Sequence, residues 1–343
     1  MGQRGRDIGP GLKTVKRRGV EPFTNPLPCR DGIAAAAERI RRKVVRTPLL
    51  PFAVDGLRFW VKAECLQTGG SFKLRGATNR LLKLSAEERA CGVVAFSSGN
   101  HAQGVAIAAA RLGMSAAIVM PSDAPEVKRA ATESYGARIV VYDRATQSRE
   151  AIAAAIAEDT GATLVPSFDD VDVIEGQGTC GLELGEQLLE QTGATVSRIV
   201  VPCGGGGLTA GMALALPDAE IVPVEPQGWD DMARSLIAGC RVPVAADAPP
   251  TRCDALQTRL VSPLTFDVLH KRGARGASVP ESQVEAAMRV AFSHSRLVVE
   301  PGGAVALAAV LSGQVPSDVR TVVVLSGGNV DPALYADIIR PRR

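Results

Sequence analysis

The sequence predicts an α/β protein built on open, parallel-type twisted sheets flanked by helices. Three observations predict it. Short β-branched runs alternate with alanine-rich segments of helical length, the pattern of strands buried on both faces and joined by crossover helices. Four consecutive glycines, Gly204, Gly205, Gly206 and Gly207, stand between one such run and a helix-like segment. The chain has 343 residues, 46% hydrophobic and 22% charged, which is too long for one core and suits two domains.

Residues 93–96 read as a strand, followed by a helix from about 100 to 112. Residues 116–120 precede a helix from about 126 to 135, and 138–142 lead into another near 148–159. Strands resume at 163–166, 199–201, 221–224 and 321–325. Their crossover connections are expected to be right-handed. The proline-rich stretch 243–250 reads as a surface loop.

The bulk numbers exclude several classes. No run of about 18 apolar residues occurs, so no membrane span is expected. The net charge of +3 is small, and much of the excess sits in Arg4, Arg6, Lys13, Lys16, Arg17 and Arg18, with no aromatic residue before Phe23. A disordered extension is expected there rather than a nucleic-acid site. The segment lacks the serine-rich pattern of a transit peptide. Seven cysteines, none in a C-x-x-C pair, point to reduced thiols in a cytoplasmic protein. Three histidines argue against a zinc site.

The chemistry is concentrated in a few segments. Lys73 follows the turn Gly69-Gly70 and an aromatic ring, Phe72. A lysine so placed can act as a Schiff-base nucleophile, held neutral by its surroundings beside a flat cofactor. A surface lysine opening a helix would carry the same local sequence. The four glycines let backbone N–H groups converge on a phosphate, and the following helix adds a favourable dipole. A dinucleotide fingerprint is the rival. It wants G-x-G-x-x-G and an acidic residue about 20 positions on, and Glu225 falls near that distance. The contiguous glycines and the Lys73 segment argue against it. Ser97, Ser98 and Asn100 stand at a helix start, where they can be caps, a carboxylate site, or both.

With segments 64–77, 97–101, 204–207 and 326–329 in this order, the chain resembles the pyridoxal-phosphate enzymes of the threonine dehydratase and serine racemase family. The resemblance runs from about residue 47 to about 331. It implies the type II, tryptophan synthase β-like fold. A small domain, 90–165, would be inserted into a large cofactor-binding domain made of 26–89 and 166–343, with the cofactor in the cleft between them. Residues 1–25 would be a disordered basic extension, and no regulatory domain is expected after Ser326. The resemblance also implies a homodimer, with no nucleic-acid or membrane partner.

Residue by residue, the resemblance makes Lys73 the covalent anchor and the base that removes the α-proton, with Phe72 beside the ring. The four glycines would cradle the phosphate, and Asn100 would bond the 3′ oxygen. Ser326 would face the pyridine nitrogen; a neutral serine there leaves a weaker electron sink than an aspartate and suits β-elimination. Ser97, Ser98, Asn100 and the backbone of His101 would grip the substrate carboxylate. Ser98 matters twice: typical dehydratases have alanine there, racemase-like members serine, whose hydroxyl could move a proton on the face opposite Lys73. Glu225, Asp231 and the carbonyl of Trp229 resemble a structural site for magnesium, calcium or manganese. A solvated acidic helix start is the alternative. Gln257, Thr258 and Arg259 are expected near the substrate side chain, and Arg149 also comes close in racemase-like members. Either arginine could receive a second carboxylate.

The expected activity is conversion of an amino-acid substrate, L-threonine or L-serine, to a 2-oxo acid and ammonia, with serine racemisation as a companion. A 3-hydroxyaspartate ammonia-lyase is the alternative. From a different class, the chain would be a non-catalytic nucleotide-binding or regulatory module that keeps the glycine loop.

Overall fold

The computed structural model describes residues 27–124 and 126–340, so the basic extension expected over 1–25 lies outside the described residues. In chain order the strands are β1 (Leu49–Val54), β2 (Leu57–Ala63), β3 (Val93–Phe96), β4 (Ala116–Pro121), β5 (Arg138–Tyr142), β6 (Thr163–Leu164), β7 (Arg198–Pro202), β8 (Glu220–Pro226), β9 (Ala277–Val279) and β10 (Thr321–Leu325). The helices are α1 (Arg30–Ile40), α2 (Lys73–Leu82), α3 (Ala86–Cys91), α4 (Asn100–Arg111), α5 (Glu126–Ser134), α6 (Arg149–Thr160) and α7 (Val171–Thr192). They continue with α8 (Gly207–Ala215), α9 (Asp231–Ala238), α10 (Pro263–Lys271), α11 (Glu281–Ser295), α12 (Pro301–Leu311) and α13 (Pro332–Ile339). No helix among the described residues is long and apolar enough to cross a membrane.

Two sheets result. One has six strands in the order β1-β2-β10-β7-β8-β9, and the other has four in the order β5-β4-β3-β6. Every adjacent pair is parallel except β1–β2. That exception is a hairpin closed by Asp55-Gly56, both at positive φ (49° and 81°), the backbone a two-residue primed turn requires. The smaller sheet takes its strands from residues 93–164, and the larger takes its strands from both flanking segments.

Side-chain alternation along the central strands builds two core layers. Val200, Val323 and Leu325 face one layer with α12, while Ile199, Val201, Val322 and Val324 face the other with α7 and α8. Helix α12, apolar on every side, is buried from Pro301 to Val310. Helix α7 runs 22 residues between an Asp170 cap and Gly193 in the left-handed conformation. Its small residues let neighbours approach backbone to backbone: a Cβ on Gly176 would stand 2.7 Å from the Gly76 Cα of α2.

The strand expected over 163–166 ends at Leu164. Pro166 has no N–H to donate to a ladder. The residues around it instead present carbonyls to site residues, Val165 to His101 and Ser167 to Lys73.

Candidate active site

Lys73 is held by a turn and a bridge. Gly69 and Gly70 take φ of 77° and 71°, which side chains resist, and reverse the chain just ahead of α2. Ser71 then bridges Gly327, and the Phe72 amide donates to the Ser326 carbonyl at 3.2 Å. Helix α2 therefore begins over the carboxyl end of β10, where open parallel sheets place ligands. Lys73 is half-buried; its ammonium donates to the Ser167 carbonyl at 2.8 Å, and Nζ lies 5.2 Å from the Phe72 ring centre. Loss of water around the ammonium brings its pKa down to about 8. More of the amine is then neutral, and nucleophilic, near neutral pH than in an exposed lysine.

The glycine loop follows β7. Gly206 sits at φ 85° as the cap of α8, and no side chain caps that helix. The first N–H groups of a helix lack intrahelical partners and carry a positive partial charge. Phe168 lies against the loop: a Cβ on Gly205 would fall 2.2 Å from its ring, and one on Gly207 would meet its Cβ at 3.1 Å. Thr265 Oγ1 donates to the Gly205 carbonyl at 2.8 Å and holds the loop from behind. Bare glycine backbone at an uncapped helix start fits a phosphate, as the cofactor requires.

The segment 97–101 links β3 to α4. Ser97 Oγ accepts from the Gly99 amide at 3.2 Å, a turn within the loop. Helix α4 is capped by Gly99 with no side-chain bond. The capping role considered for Ser97, Ser98 and Asn100 is therefore not used. Asn100 is buried, donates from Nδ2 to Glu300, and accepts at Oδ1 from Asn329 at 2.8 Å. Both ends of its amide are fixed, and its second N–H remains to face a ligand oxygen. Ser326 is buried at the end of β10.

His101 is 3% exposed. Its Nε2 lies 2.9 Å from the Val165 carbonyl, and Nδ1 has no partner among the described residues. Burial, and then the charge of Lys73, push its pKa down to about 3, so the ring is neutral.

The remaining expected substrate contacts separate. The Arg149 guanidinium lies 5.2 Å from the ring centre of Phe96, the residue before Ser97, and also bonds Glu150 at 2.8 Å. Thr258 lies against the glycine loop, with Oγ1 3.3 Å from where a Gly204 Cβ would stand. Arg259 stacks on Trp229 at 5.8 Å, on the side of the two carboxylates rather than beside Ser97.

Glu225 and Asp231 are both fully buried. Glu225 accepts from the amides of Met232 and Ala233 at 3.0 and 2.8 Å. Neither oxygen of Asp231 has a hydrogen-bond partner among the described residues. Burial and the Asp231 charge push the Glu225 pKa up, and burial pushes that of Asp231 up to about 6 against the pull of the nearby Val261 amide, its own amide and Glu225, whose approaches fall short of good hydrogen-bond geometry. Among the described residues no three His, Cys, Asp or Glu side chains form a metal centre. The set expected from the sequence holds two carboxylates and the Trp229 carbonyl.

Three contributors escaped the sequence reading. Glu300 holds Asn100 and is itself buried; burial and then Asp254 raise its pKa to about 7, against the opposing pull of Lys128 and Asn100. Glu-Pro at a helix start reads as an ordinary cap, so no local signal marked it. Ser167 and Phe168 lie in an irregular segment and matter only through what they touch.

Against known proteins, residues 40–327 match the family model described as pyridoxal-phosphate-dependent enzyme. L-threo-3-hydroxyaspartate ammonia-lyase of a Pseudomonas species is 42% identical over 318 residues, spanning 90% of this chain and 97% of that protein. A threonine deaminase crystal structure, from the organism abbreviated T.th., superposes with a TM-score of 0.81 at 42% identity, covering 89% of this chain and 99% of that one. The maize serine racemase structure gives 0.83 at 35% identity, with 91% and 97% covered.

Proposed function

The chain belongs to the pyridoxal-phosphate-dependent enzymes, and we propose that it eliminates water from a β-hydroxy amino acid, serine or threonine, to release a 2-oxo acid and ammonia. One observation carries the reading. The Lys73 ammonium, shielded from water, meets a backbone carbonyl and no carboxylate among the described residues, so its charge is costly and its amine is available. Lys62, fully buried, is paired with Glu183 and could not serve.

When bound, pyridoxal phosphate supplies the electron sink for charge left on the α-carbon. The chain supplies the rest. The loop 204–207 and the start of α8 would hold the phosphate, Phe72 would pack beside the ring, Asn100 would donate to the 3′ oxygen, and Ser326 would offer a neutral partner to the ring nitrogen. Ser97, with the backbone of the 97–101 loop, would orient the substrate carboxylate, and Thr258, beside the glycine loop, would lie toward the substrate side chain. Lys73 takes the α-proton, the β-hydroxyl departs as water, and the released enamine hydrolyses to 2-oxo acid and ammonia. Ser98, free of a capping duty, is left to hold or move a proton on the other face, which racemisation requires. Borohydride reduction and peptide mapping of the loaded protein should put the pyridoxyl adduct on Lys73. An adduct elsewhere, or none, would return the chain to the class of non-catalytic binding modules.

A second reading has its own observation. Arg149, over the Phe96 ring beside Ser97, would exchange its exposed Glu150 partner for a second substrate carboxylate, which makes 3-hydroxyaspartate the alternative substrate. Release of 2-oxo acid from serine, threonine and both 3-hydroxyaspartate isomers decides between them. Arg149→Ala should lower turnover of 3-hydroxyaspartate and spare that of serine.

A divalent cation is proposed between Glu225, Asp231 and the Trp229 carbonyl, away from the chemistry. The unpartnered, fully buried carboxylate of Asp231 supports it. We also propose a cytoplasmic homodimer, for which the mass in solution is the direct test.

A further inference from the structure

Strand β3 ends at Phe96, and the chain runs through Ser97 to the start of α4. The strands β3, β4 and β5 are parallel, so their carboxyl ends share one edge of the small sheet, where open sheets place ligands. The helix after β5 starts on that edge too. It does not stay over β5, because α6 packs across β4 and β3 on its way to β6. Its first residue, Arg149, is thereby carried back over the end of β3. The guanidinium carbon lies 5.2 Å from the Phe96 ring centre. That is inside the roughly 6 Å reach of a cation–π contact.

The guanidinium has two neighbours of opposite character. Phe96 is half-buried and packs with Val94, Val119, Tyr142 and Ala153, so its ring is fixed. Glu150 accepts from Arg149 Nε at 2.8 Å, with the two side chains 47% and 58% exposed. The terminal amino groups of Arg149 make no hydrogen bond among the described residues. An ion pair open to water contributes little and is readily exchanged, whereas a ring seated in a core stays where it is. We infer that Phe96 is a specificity-determining residue: it is the fixed platform that aims Arg149 at the space beside Ser97, and so favours a β-hydroxy amino acid that bears a second carboxylate. Glu150 is the chain's own carboxylate, holding the place that the substrate carboxylate takes. With the ring contact kept, the planar guanidinium can offer paired N–H donors to both oxygens of that carboxylate. Serine and threonine have no such group and gain nothing from the platform. The inference rests on Arg149 being the receptor of the second carboxylate.

Substitutions at the two neighbours of Arg149 should act in opposite directions. Phe96→Leu keeps an apolar side chain and removes the ring. The ratio of kcat/KM for 3-hydroxyaspartate to that for serine should then fall about three- to tenfold, through KM for the dicarboxylate, as loss of a half-exposed cation–π contact predicts. Phe96→Tyr keeps the ring and should keep the ratio. Glu150→Gln removes the competing charge and should raise the ratio about two- to fourfold. Damage to packing would not produce that rise. Binding without turnover is a second readout, by calorimetry with succinate and with propionate. Relative to propionate, succinate should bind more weakly in Phe96→Leu and more tightly in Glu150→Gln. An unchanged ratio in Phe96→Leu, with a fall in Arg149→Ala, would make Phe96 a plain core residue and overturn the inference. A fall in Glu150→Gln would make Glu150 a support for Arg149 and overturn its role as the exchanged partner. An unchanged ratio in Arg149→Ala, or no turnover of 3-hydroxyaspartate by the unsubstituted protein, would instead strike at the reading of Arg149 on which this one rests.

Discussion

Charge is buried in two very different ways in two regions of the molecule. Behind α2, Lys62, Glu64, Arg75 and Glu183 form a closed network. Arg75 bonds both oxygens of Glu64 at 2.8 Å and both oxygens of Glu183 at 2.7 and 2.8 Å, with Thr179 and the Val45 carbonyl taking further donors. Lys62 places its three N–H groups on Thr47, Glu183 and Gln187 at 2.8–2.9 Å. At the start of α9, Asp231 lies beside Glu225 of β8, two buried acids whose pKa values are both pushed up, and Asp231 has no hydrogen-bond partner among the described residues. A buried network that satisfies itself is part of the scaffold. One that does not satisfy itself is incomplete until something else arrives. By the same criterion His101, whose Nδ1 has no partner among the described residues, falls with the second kind.

The comparison can be broken most directly at Arg75. Replacing it with Met strands Glu64, and chemical denaturation should show a loss of roughly 3–5 kcal/mol that neither cofactor nor divalent cation restores. A cost below about 1 kcal/mol would mean that the network is not the scaffold element described here.

Acid should find the same place. Burial alone would raise the Glu64 pKa, but Arg75 and then Lys62 outweigh it and bring it to about 2 from an ordinary 4.5. A carboxyl depressed in the folded state stabilises above its unfolded value, and the contribution is lost as pH falls through the folded value. The window is therefore pH 4.5 down to about 2, and the amount roughly 3 kcal/mol. In Glu64→Gln the acid-unfolding profile should lose that component.

The opposite behaviour is expected at Asp231. Magnesium, calcium or manganese should raise the melting temperature, by an amount equivalent to about 2.7 kcal/mol when the ion is at about 100 times its dissociation constant. Asp231→Ala should abolish the gain. If chelator changes neither stability nor activity, the pair is only an acidic helix start.

Ser98 gives the smallest change in stability. As it caps nothing, Ser98→Ala should alter stability by no more than about 0.5 kcal/mol. It should keep 2-oxo acid formation and lose D-serine formation from L-serine. Equal loss of both would make Ser98 a residue that positions substrate or cofactor.

Much of this was legible in the chain itself. Alternating β-branched runs and alanine-rich segments located the parallel strands, because strands buried on both faces need apolar residues at every position. Lys73 after its glycine turn, and four glycines between a strand and a helix, are local patterns whose chemistry depends on near neighbours in sequence. The tertiary structure decided what depends on distant neighbours. Lys73 is held in place by the Ser167 carbonyl, 94 residues away, and is poised because folding strips water from its ammonium. Asn100 is oriented by Glu300 and Asn329, 200 and 229 residues on. Arg259 is drawn to Trp229 while Arg149 stays by Phe96. Glu64 and Asp231 are both acids beside helical segments, and nothing local separates the satisfied from the unsatisfied one. Only folding brings partners to the first and, among the described residues, none to the second, since a buried charge is defined by what surrounds it and not by what precedes it in the chain.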